Sequence, residues 1–314
     1  MPIKNFLILL LTAMIWGTAF VGQALGMEYV PPFTFTAGRS LLGALVLVPV
    51  IYFLDRFKSP ARRAEESTPE AKKLVWVGGI LCGIALFAAE SFQQFGLIQT
   101  PVGKAGFLTA LYIIFVPLIA LFRGKRSSGI LWIAVLIAMA GLYFLSVKGD
   151  FSVGSGDILC IAGAVCYAIQ ILIIDRYAPK VDGVKLSCIM FLTGGVLGAF
   201  FTLIFEPGLT LSAIKAALPA ILYVGILSNG VAYTLQVIGQ KGANPTIASL
   251  TMSLESVFAV ISGWLILGQT LNSREALGCL LMACAIVIAQ LPTKINRNYL
   301  HLSTEIHTIR LWQA

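Results

Sequence analysis

The chain alternates between apolar runs of about 20 residues and short polar connections. Because a helix rises 1.5 Å per residue, a run of this length matches the hydrocarbon core of a bilayer. The longest connection, 55–73, is densely charged and is typical of a solvated linker. We predict ten transmembrane helices, at residues 6–25, 33–54, 74–95, 103–122, 130–147, 156–175, 186–206, 218–239, 245–267 and 275–291.

Lysine and arginine concentrate in alternate connections. With the N-terminus inside the cell, 17 of the 22 lie in inner segments, four lie in outer loops, and Arg39 falls within a predicted helix. Short cytoplasmic loops of membrane proteins carry such an excess of positive charge. We therefore predict that both termini are cytoplasmic.

The composition, 58% hydrophobic and 11% charged residues, excludes an ordinary soluble domain. The net charge of +8 does not indicate nucleic-acid binding, because the basic residues sit at predicted helix ends. The first apolar run lacks a signal-peptide cleavage site, so we predict a membrane span there. Six cysteines lie inside apolar runs without CxxC spacing, which favours packing over a disulfide or metal site. We predict no cofactor and a location in the plasma (inner) membrane.

Weak internal similarity divides the chain into two five-helix repeats, residues 5–147 and 156–291, followed by a tail at 292–314. An offset of 151 aligns Trp16 with Tyr167, and an offset of 143 aligns Gln93 with Gln236. These identities are few, and coincidence between two apolar sequences is the alternative. Because five crossings are an odd number, the second repeat would be inverted. The predicted fold is an all-α integral membrane protein with two inverted repeats around a central cavity.

Polar side chains within the predicted helices recur at helical spacing. Helix 3 carries Glu90 and Gln93 on one face, and helix 8 carries Asn229, Tyr233 and Gln236 on one face. Helices 5 and 10 carry almost nothing polar, so we expect them to be peripheral and lipid-facing. The stripes favour a cavity lining, although amides that only join helices are the alternative. The candidate substrate-binding residues are Trp16, Gln93, Tyr112, Tyr167, Gln170, Asn229, Tyr233, Gln236 and Glu255.

Charged groups inside predicted helices need compensation, because each costs roughly 2.5–3.5 kcal/mol at the bilayer centre. Glu255 lies near the middle of predicted helix 9; either it is protonated there or it meets a cation in transit. Arg39 and Glu90 lie at similar depth and favour an ion pair, with a substrate carboxylate on Arg39 as the alternative. Asp157 is expected to cap the start of helix 6 at the outer surface.

Four short motifs resemble the EamA-like, ten-helix branch of the drug/metabolite transporter superfamily over residues 5–291. They are Trp16-Gly17 with Phe20-Val21, Arg39 with Leu41-Leu42, Gly156-Asp157, and Leu254-Glu255 through Leu267-Gly268. The resemblance implies two inverted five-helix repeats and secondary transport of small organic solutes, often export.

The chain departs from that branch at two positions near helix 9. Ser256 stands where the motif usually has proline, which puts a helix break beside Glu255 in doubt. Gln269 stands where a second glutamate is usual, which removes an acidic group near the outer end.

We predict a secondary transporter that exports amino acids, amines or related metabolites by alternating access, with Glu255 as the candidate proton-responsive group. An uncoupled facilitator or exchanger of the same fold is the alternative. An intramembrane enzyme is disfavoured, because no histidine falls in a predicted helix. The expected partners are a small-molecule substrate and the bilayer. A monomer and a homodimer both remain open, as do an interfacial helix and a frayed end for residues 295–314.

Overall fold

A computed structural model describes residues 1–124, 127–146, 154–267 and 272–291 of the chain. These residues are helical and contain no β-strand. The predicted tail, 292–314, and Gln269 lie outside them. The helices are α1 Ile3–Met27, α2 Pro32–Arg56, α3 Pro60–Ser67, α4 Pro69–Gln99, α5 Val102–Ala110, α6 Tyr112–Phe122, α7 Gly129–Ser146, α8 Ser155–Tyr177, α9 Gly183–Phe205, α10 Leu211–Tyr223, a π-helix Val224–Tyr233, α11 Thr234–Gln240, α12 Pro245–Met252, α13 Glu255–Leu267 and α14 Ser273–Gln290.

Eight helical stretches of the described chain are long and apolar enough to cross a membrane. Two shorter apolar stretches, Gly129–Leu145 and Pro245–Ile261, occupy the places of predicted helices 5 and 9. The multi-pass, all-helical architecture therefore stands, while ten crossings and the orientation of the termini remain predictions.

The helix contacts are symmetric between the two halves of the chain. Helix α4 of the first half packs against α8 of the second half. The equivalent contact with the halves exchanged, between α11 of the second half and α1 of the first, is also present. The pairs α2–α9 and α7–α14 each join equivalent helices of the two halves. Helices α7 and α14, predicted to be peripheral, bury one face against each other and expose residues such as Leu136 and Leu280 on another.

Small residues bring α9 close to α2 and α4. A Cβ atom added to Gly198 would lie 2.9 Å from the Ala37 backbone nitrogen, and one added to Gly83 would lie 2.6 Å from the Met190 carbonyl oxygen. Only glycine permits such backbone approach. Just after the end of α9, the Glu206 carboxylate accepts hydrogen bonds from the backbone N–H groups of Phe33 and Thr34 in the first turn of α2.

The connection 55–73 has no buried residue, in agreement with the prediction of a solvated linker, but it is also partly helical and docked. It contains α3, and Lys58 Nζ lies 2.7 Å from carboxylate oxygens of both Glu66 and Asp182. Lys185 Nζ lies 3.0 Å from Glu66 Oε2 and from Asp55 Oδ2. We call these five residues the inner ion cluster. Charged side chains of the connection thus form ion pairs with residues at the start of α9 and hold the segment against that helix.

Predicted helix 8 begins at Leu211 rather than at residue 218, and its middle is a π-helix. The Thr210 hydroxyl caps the helix by accepting from the Ala213 backbone N–H at 3.2 Å. The prediction began at the apolar run and missed this more polar first turn. In a π-helix the backbone bonds run from i to i+5, which changes which side chains share a face.

Predicted helices 4 and 9 are each interrupted near their middle. Leu111, between α5 and α6, has φ −58° and ψ −11°, and Ser253, between α12 and α13, has φ −64° and ψ −9°. At each break two backbone N–H groups donate to the carbonyl oxygen three residues earlier. At the first break these bonds run from Leu111 to Leu108 (3.3 Å) and from Ile114 to Leu111 (2.9 Å). At the second they run from Leu254 to Thr251 and from Ser256 to Ser253, both 3.3 Å. Glu255 therefore begins a helix and does not lie inside one. No proline at position 256 is needed for this break.

Asp157 is the third residue of α8, and Gly154 is its N-cap, which corrects the predicted cap by three positions. The Asp157 carboxylate accepts hydrogen bonds from the Gly154 backbone at 2.8 Å and from Thr100 at 2.9 Å. It also pairs with Lys104 at 2.5 Å. Asp157 thus joins α8 to the end of α4 and the start of α5.

Candidate substrate cavity

A cavity of about 40 Å³ lies between the halves, beside the two helix breaks. Such a volume holds one to a few water molecules. At the breaks, α6 packs against α12 and α5 against α13. The lining residues are Trp16, Ala19, Phe20, Gln23, Arg39, Gln93, Thr109, Tyr112, Tyr167, Gln170, Ile171, Ser228, Tyr233, Gln236, Met252 and Glu255.

Most of the residues singled out from the sequence meet at this cavity. Two do not line it, Asn229 and Glu90. The remaining candidates line it: Trp16, Arg39, Gln93, Tyr112, Tyr167, Gln170, Tyr233, Gln236 and Glu255. Residues from seven predicted helices therefore meet at this cavity, and the two exceptions have structural reasons.

Asn229 points away from the cavity because it lies in the π-helix. The prediction placed Asn229 and Tyr233 on one face from their α-helical spacing of four, whereas the wider turn of a π-helix changes the angle between the two side chains. Ser228, five residues before Tyr233, takes the cavity position. The Asn229 amide instead donates to the Ser40 hydroxyl at 3.4 Å. A π-helix leaves no clear mark in the apolar pattern, so the sequence offered no signal for this shift.

Glu90 lies behind the cavity wall, bound to Arg39. Arg39 Nη2 is 2.8 Å from Glu90 Oε1, and the two side chains are 2% and 0% exposed. The Ser40 hydroxyl approaches the other Glu90 oxygen at 3.5 Å. The positive charge at the cavity edge is thus compensated within the protein, as a buried ion pair requires.

Glu255, by contrast, has no cationic side chain paired with it among the described residues. Its residue is 5% exposed, and within the described chain no lysine or arginine lies at ion-pair distance from its carboxylate. As the first residue of α13, it lies where the partial positive charge of a helix N-terminus favours an anion. Tyr112 holds the equivalent place as the first residue of α6 and lines the same cavity. By contrast Ile113, which an offset of 142 aligns with Glu255, is fully buried and does not line it.

Three of the four glutamine side chains that line the cavity, those of Gln93, Gln170 and Gln236, are hydrogen-bonded to other side chains. Gln93 donates to the Thr109 hydroxyl and accepts from the Tyr167 hydroxyl, both at 3.2 Å. Gln170 and Gln236 donate to each other at 3.3 and 3.2 Å. The Tyr167–Gln93 bond joins the two halves, whereas the other bonds join helices within one half. The amides therefore hold helices together as well as line the cavity.

Five buried polar atoms on the cavity wall have no hydrogen-bond partner among the described residues. They are Trp16 Nε1, Gln23 Oε1, the Tyr112 hydroxyl, and Arg39 Nε and Nη2, of which Nη2 is ion-paired with Glu90. Buried polar groups without partners are uncommon and mark places where water or a ligand binds. Gln23 was not among the candidate residues, although its spacing of seven from Trp16 places both on one helical face.

Aromatic rings form much of the remaining wall. The centroids of Trp16 and Tyr233 are 4.6 Å apart in a tilted arrangement, and Phe191 packs against Tyr233 from behind at 6.0 Å. The cavity therefore combines π-faces, neutral hydrogen-bonding groups and one uncompensated carboxylate. This combination suits a small amphiphilic solute.

The profile of the EamA-like transporter family matches residues 3–147 and again residues 154–290, which together form most of the chain. The chain belongs to this family. The two matches also coincide with the two halves that the packing relates, so the EamA unit is present twice.

Named relatives of this EamA transporter are transporters too. An uncharacterized transporter of Archaeoglobus fulgidus is 28% identical, over 90% of this chain and 84% of its own length. The uncharacterized inner membrane transporter YedA of Escherichia coli K12 is 23% identical over 87% of each chain. The threonine/homoserine exporter RhtA of Salmonella typhimurium is 28% identical over 57% of this chain and 58% of its own.

A solved crystal structure shares the fold, with a TM-score of 0.74 at 22% identity, over 93% of this chain and 98% of the other. Together with the apolar helices, these relatives show that the EamA transporter is a multi-pass protein of the plasma (inner) membrane and that it is not an enzyme.

Proposed function

We propose that this EamA transporter exports small organic solutes, such as amino acids or amines, by alternating access of its two halves. The observation that carries the proposal is the position of Glu255. It is an uncompensated carboxylate on a cavity that forms where two symmetric helix breaks meet. Broken helices around a midplane site are a recurring feature of secondary transporters.

The proposal includes ten crossings in two inverted repeats, with both termini cytoplasmic. Exchange of the halves maps the contacts of α4 with α8 onto those of α11 with α1, which supports this arrangement. Single cysteines introduced at Tyr29 and at Arg62 give a direct test. A membrane-impermeant thiol reagent is expected to label Tyr29→Cys from outside intact cells and Arg62→Cys only from the cytoplasmic side.

Glu255 would respond to protons or to a cationic cargo group. When ionised, it attracts an ammonium group; when protonated, it lets the cavity change orientation without a buried charge. Protons and cargo would then use the same carboxylate in turn, which couples their movements in opposite directions. The named activity of the relative RhtA supports amino acids as one cargo class.

The second candidate is uncoupled facilitated diffusion or exchange through the same cavity. The hydrogen-bonded glutamines favour it in one respect, because a cavity lined by neutral pairs binds polar solutes without any proton movement. The two candidates differ in whether a proton gradient drives accumulation.

Reconstituted liposomes test the proposal. Purified protein is expected to move at least one member of a panel of amino acids, amines and nucleosides faster than protein-free liposomes, and a proton gradient is expected to drive that solute above its equilibrium distribution. Flux without accumulation would support the facilitator. If none of the panel moves, the proposed function is wrong.

A further inference from the structure

The charges at the cavity do not balance. Arg39 and Glu90 neutralise each other at 2.8 Å, whereas Glu255 faces the cavity without a cationic partner in the described part of the chain. When Glu255 is ionised, the cavity therefore carries a net negative charge. Because a net charge is costly in a water-poor site, a bound solute that cancels it is favoured over one that adds to it.

The wall around Glu255 suits an organic cation. Trp16 and Tyr233 present a pair of aromatic rings with centroids 4.6 Å apart, and Phe20 and Tyr112 also line the space. The face of an aromatic ring attracts an ammonium group, most strongly for tryptophan and tyrosine and when water is excluded. A carboxylate with aromatic neighbours thus offers both a counter-ion and a weakly polar surface.

The unpartnered atoms around the cavity indicate what else the solute carries. Within the described part of the chain, Trp16 Nε1 and the Tyr112 hydroxyl are buried donors without acceptors, and Gln23 Oε1 is a buried acceptor without a donor. Neutral groups of this kind complement a hydroxyl, an amide or a carbonyl group as well as a carboxylate. They do not compensate a full negative charge on the solute.

Arg39 is a poor alternative site for an anion. Arg39 Nη2 already lies 2.8 Å from Glu90 Oε1. Arg39 Nε has no hydrogen-bond partner among the described residues, but a carboxylate bound there would share the guanidinium charge with Glu90. Recruiting Arg39 fully would leave Glu90 buried and unpaired, which is strongly unfavourable. An anionic solute would also meet Glu255 in the same small cavity.

We propose that the cavity selects solutes that carry an ammonium group, with Glu255 as its counter-ion and the Trp16 and Tyr233 rings as its wall. The expected order of preference is organic monocation first, zwitterion second and anion last. This selectivity rests on the proposed transport function, because it describes the cargo of the same cavity.

A matched series of probes tests the order. Phenethylamine, L-phenylalanine and 3-phenylpropanoate share a phenylethyl frame and are cationic, zwitterionic and anionic at about pH 7. In liposomes with the purified protein, phenethylamine is expected to enter about tenfold or more faster than 3-phenylpropanoate, since like charges in one site repel. Equal rates, or faster entry of the anion, would overturn the proposal.

Two variants show whether Glu255 sets this order. Glu255→Gln is expected to remove most of the difference between phenethylamine and 3-phenylpropanoate, and Glu255→Asp is expected to retain it. Glu65→Gln, an acid-to-amide change on the exposed face of α3, is the control and is expected to behave like the wild type. An unchanged order in a folded Glu255→Gln protein would assign the selectivity to other groups.

Binding measurements separate this proposal from the proposed function. In thermal unfolding of the detergent-purified protein, phenethylamine is expected to raise the Tm of the wild type and to leave that of Glu255→Gln unchanged. If this shift is found while no solute is transported, the selectivity holds and the transport proposal fails. If transport is found without any preference for the cation, the selectivity alone fails.

Discussion

The two helix breaks have nearly the same backbone and different chemistry. Leu111 and Ser253 differ by only 6° in φ (−58° against −64°) and 2° in ψ (−11° against −9°). The first break is followed by a phenol, Tyr112, and the second by a carboxylate, Glu255. The backbone geometry therefore belongs to the repeated scaffold, whereas the uncompensated charge occurs in the second half only.

A second difference between the two halves places an acid in the first half. An offset of 143 aligns Glu90 of the first half with Tyr233 of the second, so here the first half carries the acid. Glu90, however, is neutralised by Arg39 and is fully buried. Glu90 thus contributes to the stability of the fold, whereas Glu255 remains able to respond to protons or solutes.

The largest expected effect follows from breaking the buried pair. Arg39→Gln or Glu90→Gln leaves one charge buried without its partner, which is expected to cost about 3–5 kcal/mol in the free energy of unfolding. The double variant Arg39→Met/Glu90→Leu removes both charges and is expected to regain most of that loss. Denaturation of the purified proteins in detergent measures both. A double variant as unstable as either single variant would contradict a mainly structural role for the pair.

A smaller effect is expected where helix α1 approaches the second break. A Cβ atom on Gly17 would lie 2.7 Å from the Glu255 carbonyl oxygen and 2.9 Å from the Ala259 backbone nitrogen. An offset of 151 aligns Gly17 with Ala168, so the second half has no need of glycine at this place. Gly17→Ala is expected to destabilise the protein by about 1–3 kcal/mol through overpacking and to reduce transport.

Gly106→Ala is the matched control for that change. Gly106 is also helical, and a Cβ atom there meets nothing within 4 Å. The substitution is expected to be neutral or stabilising by up to about 1 kcal/mol, because alanine favours a helix over glycine. Thermal unfolding compares the two variants; equal losses would show that close approach at Gly17 is not the cause.

The smallest effect concerns the inner ion cluster, which joins the 55–73 connection to the start of α9. Burial alone would raise the pKa of the Glu66 and Asp182 carboxyls, but hydrogen bonds from Lys58 and Lys185 outweigh it and lower both pKa values. An acid with a lowered pKa stabilises the fold above its ordinary pKa and loses that contribution as the pH falls. The cluster is therefore expected to weaken below about pH 4.

Lys58→Met tests the cluster. Because these side chains are partly exposed, the expected loss at neutral pH is small, up to about 1 kcal/mol. The difference in Tm between Lys58→Met and the wild type is expected to shrink as the pH is lowered through the acidic range. A difference that is constant with pH would show that Lys58 acts through packing alone.

The sequence was sufficient for the features that depend on long, repeated patterns. Apolar runs predicted the helices, and polar stripes led to most of the residues that line the cavity. It failed where a local backbone change moved a side chain. The π-helix turned Asn229 away and brought Ser228 in, and the break at Ser253 occurs without the proline that usually marks one. Such changes depend on tertiary contacts that no single run of residues records.

Charge pairing across the chain was harder to predict. The depth of Arg39 and Glu90 was readable from their positions within two apolar runs. The contact of Lys58 with Asp182 joins residues 124 apart. Lys58 lies in the 55–73 segment, which carries six bases and four acids. Such a segment is consistent with free solvation and with docking, and only the three-dimensional arrangement distinguishes them.

The central claim is that Glu255 gives a symmetric scaffold its response to protons and cationic solutes. The most direct test compares proton-driven accumulation in liposomes by the wild type and by Glu255→Gln over a range of pH, with solute exchange as the measure of intact protein. Wild-type accumulation is expected to depend on pH, and Glu255→Gln is expected to lose this accumulation while it remains folded. Equal accumulation by the two proteins, with the same dependence on pH, would contradict the central claim.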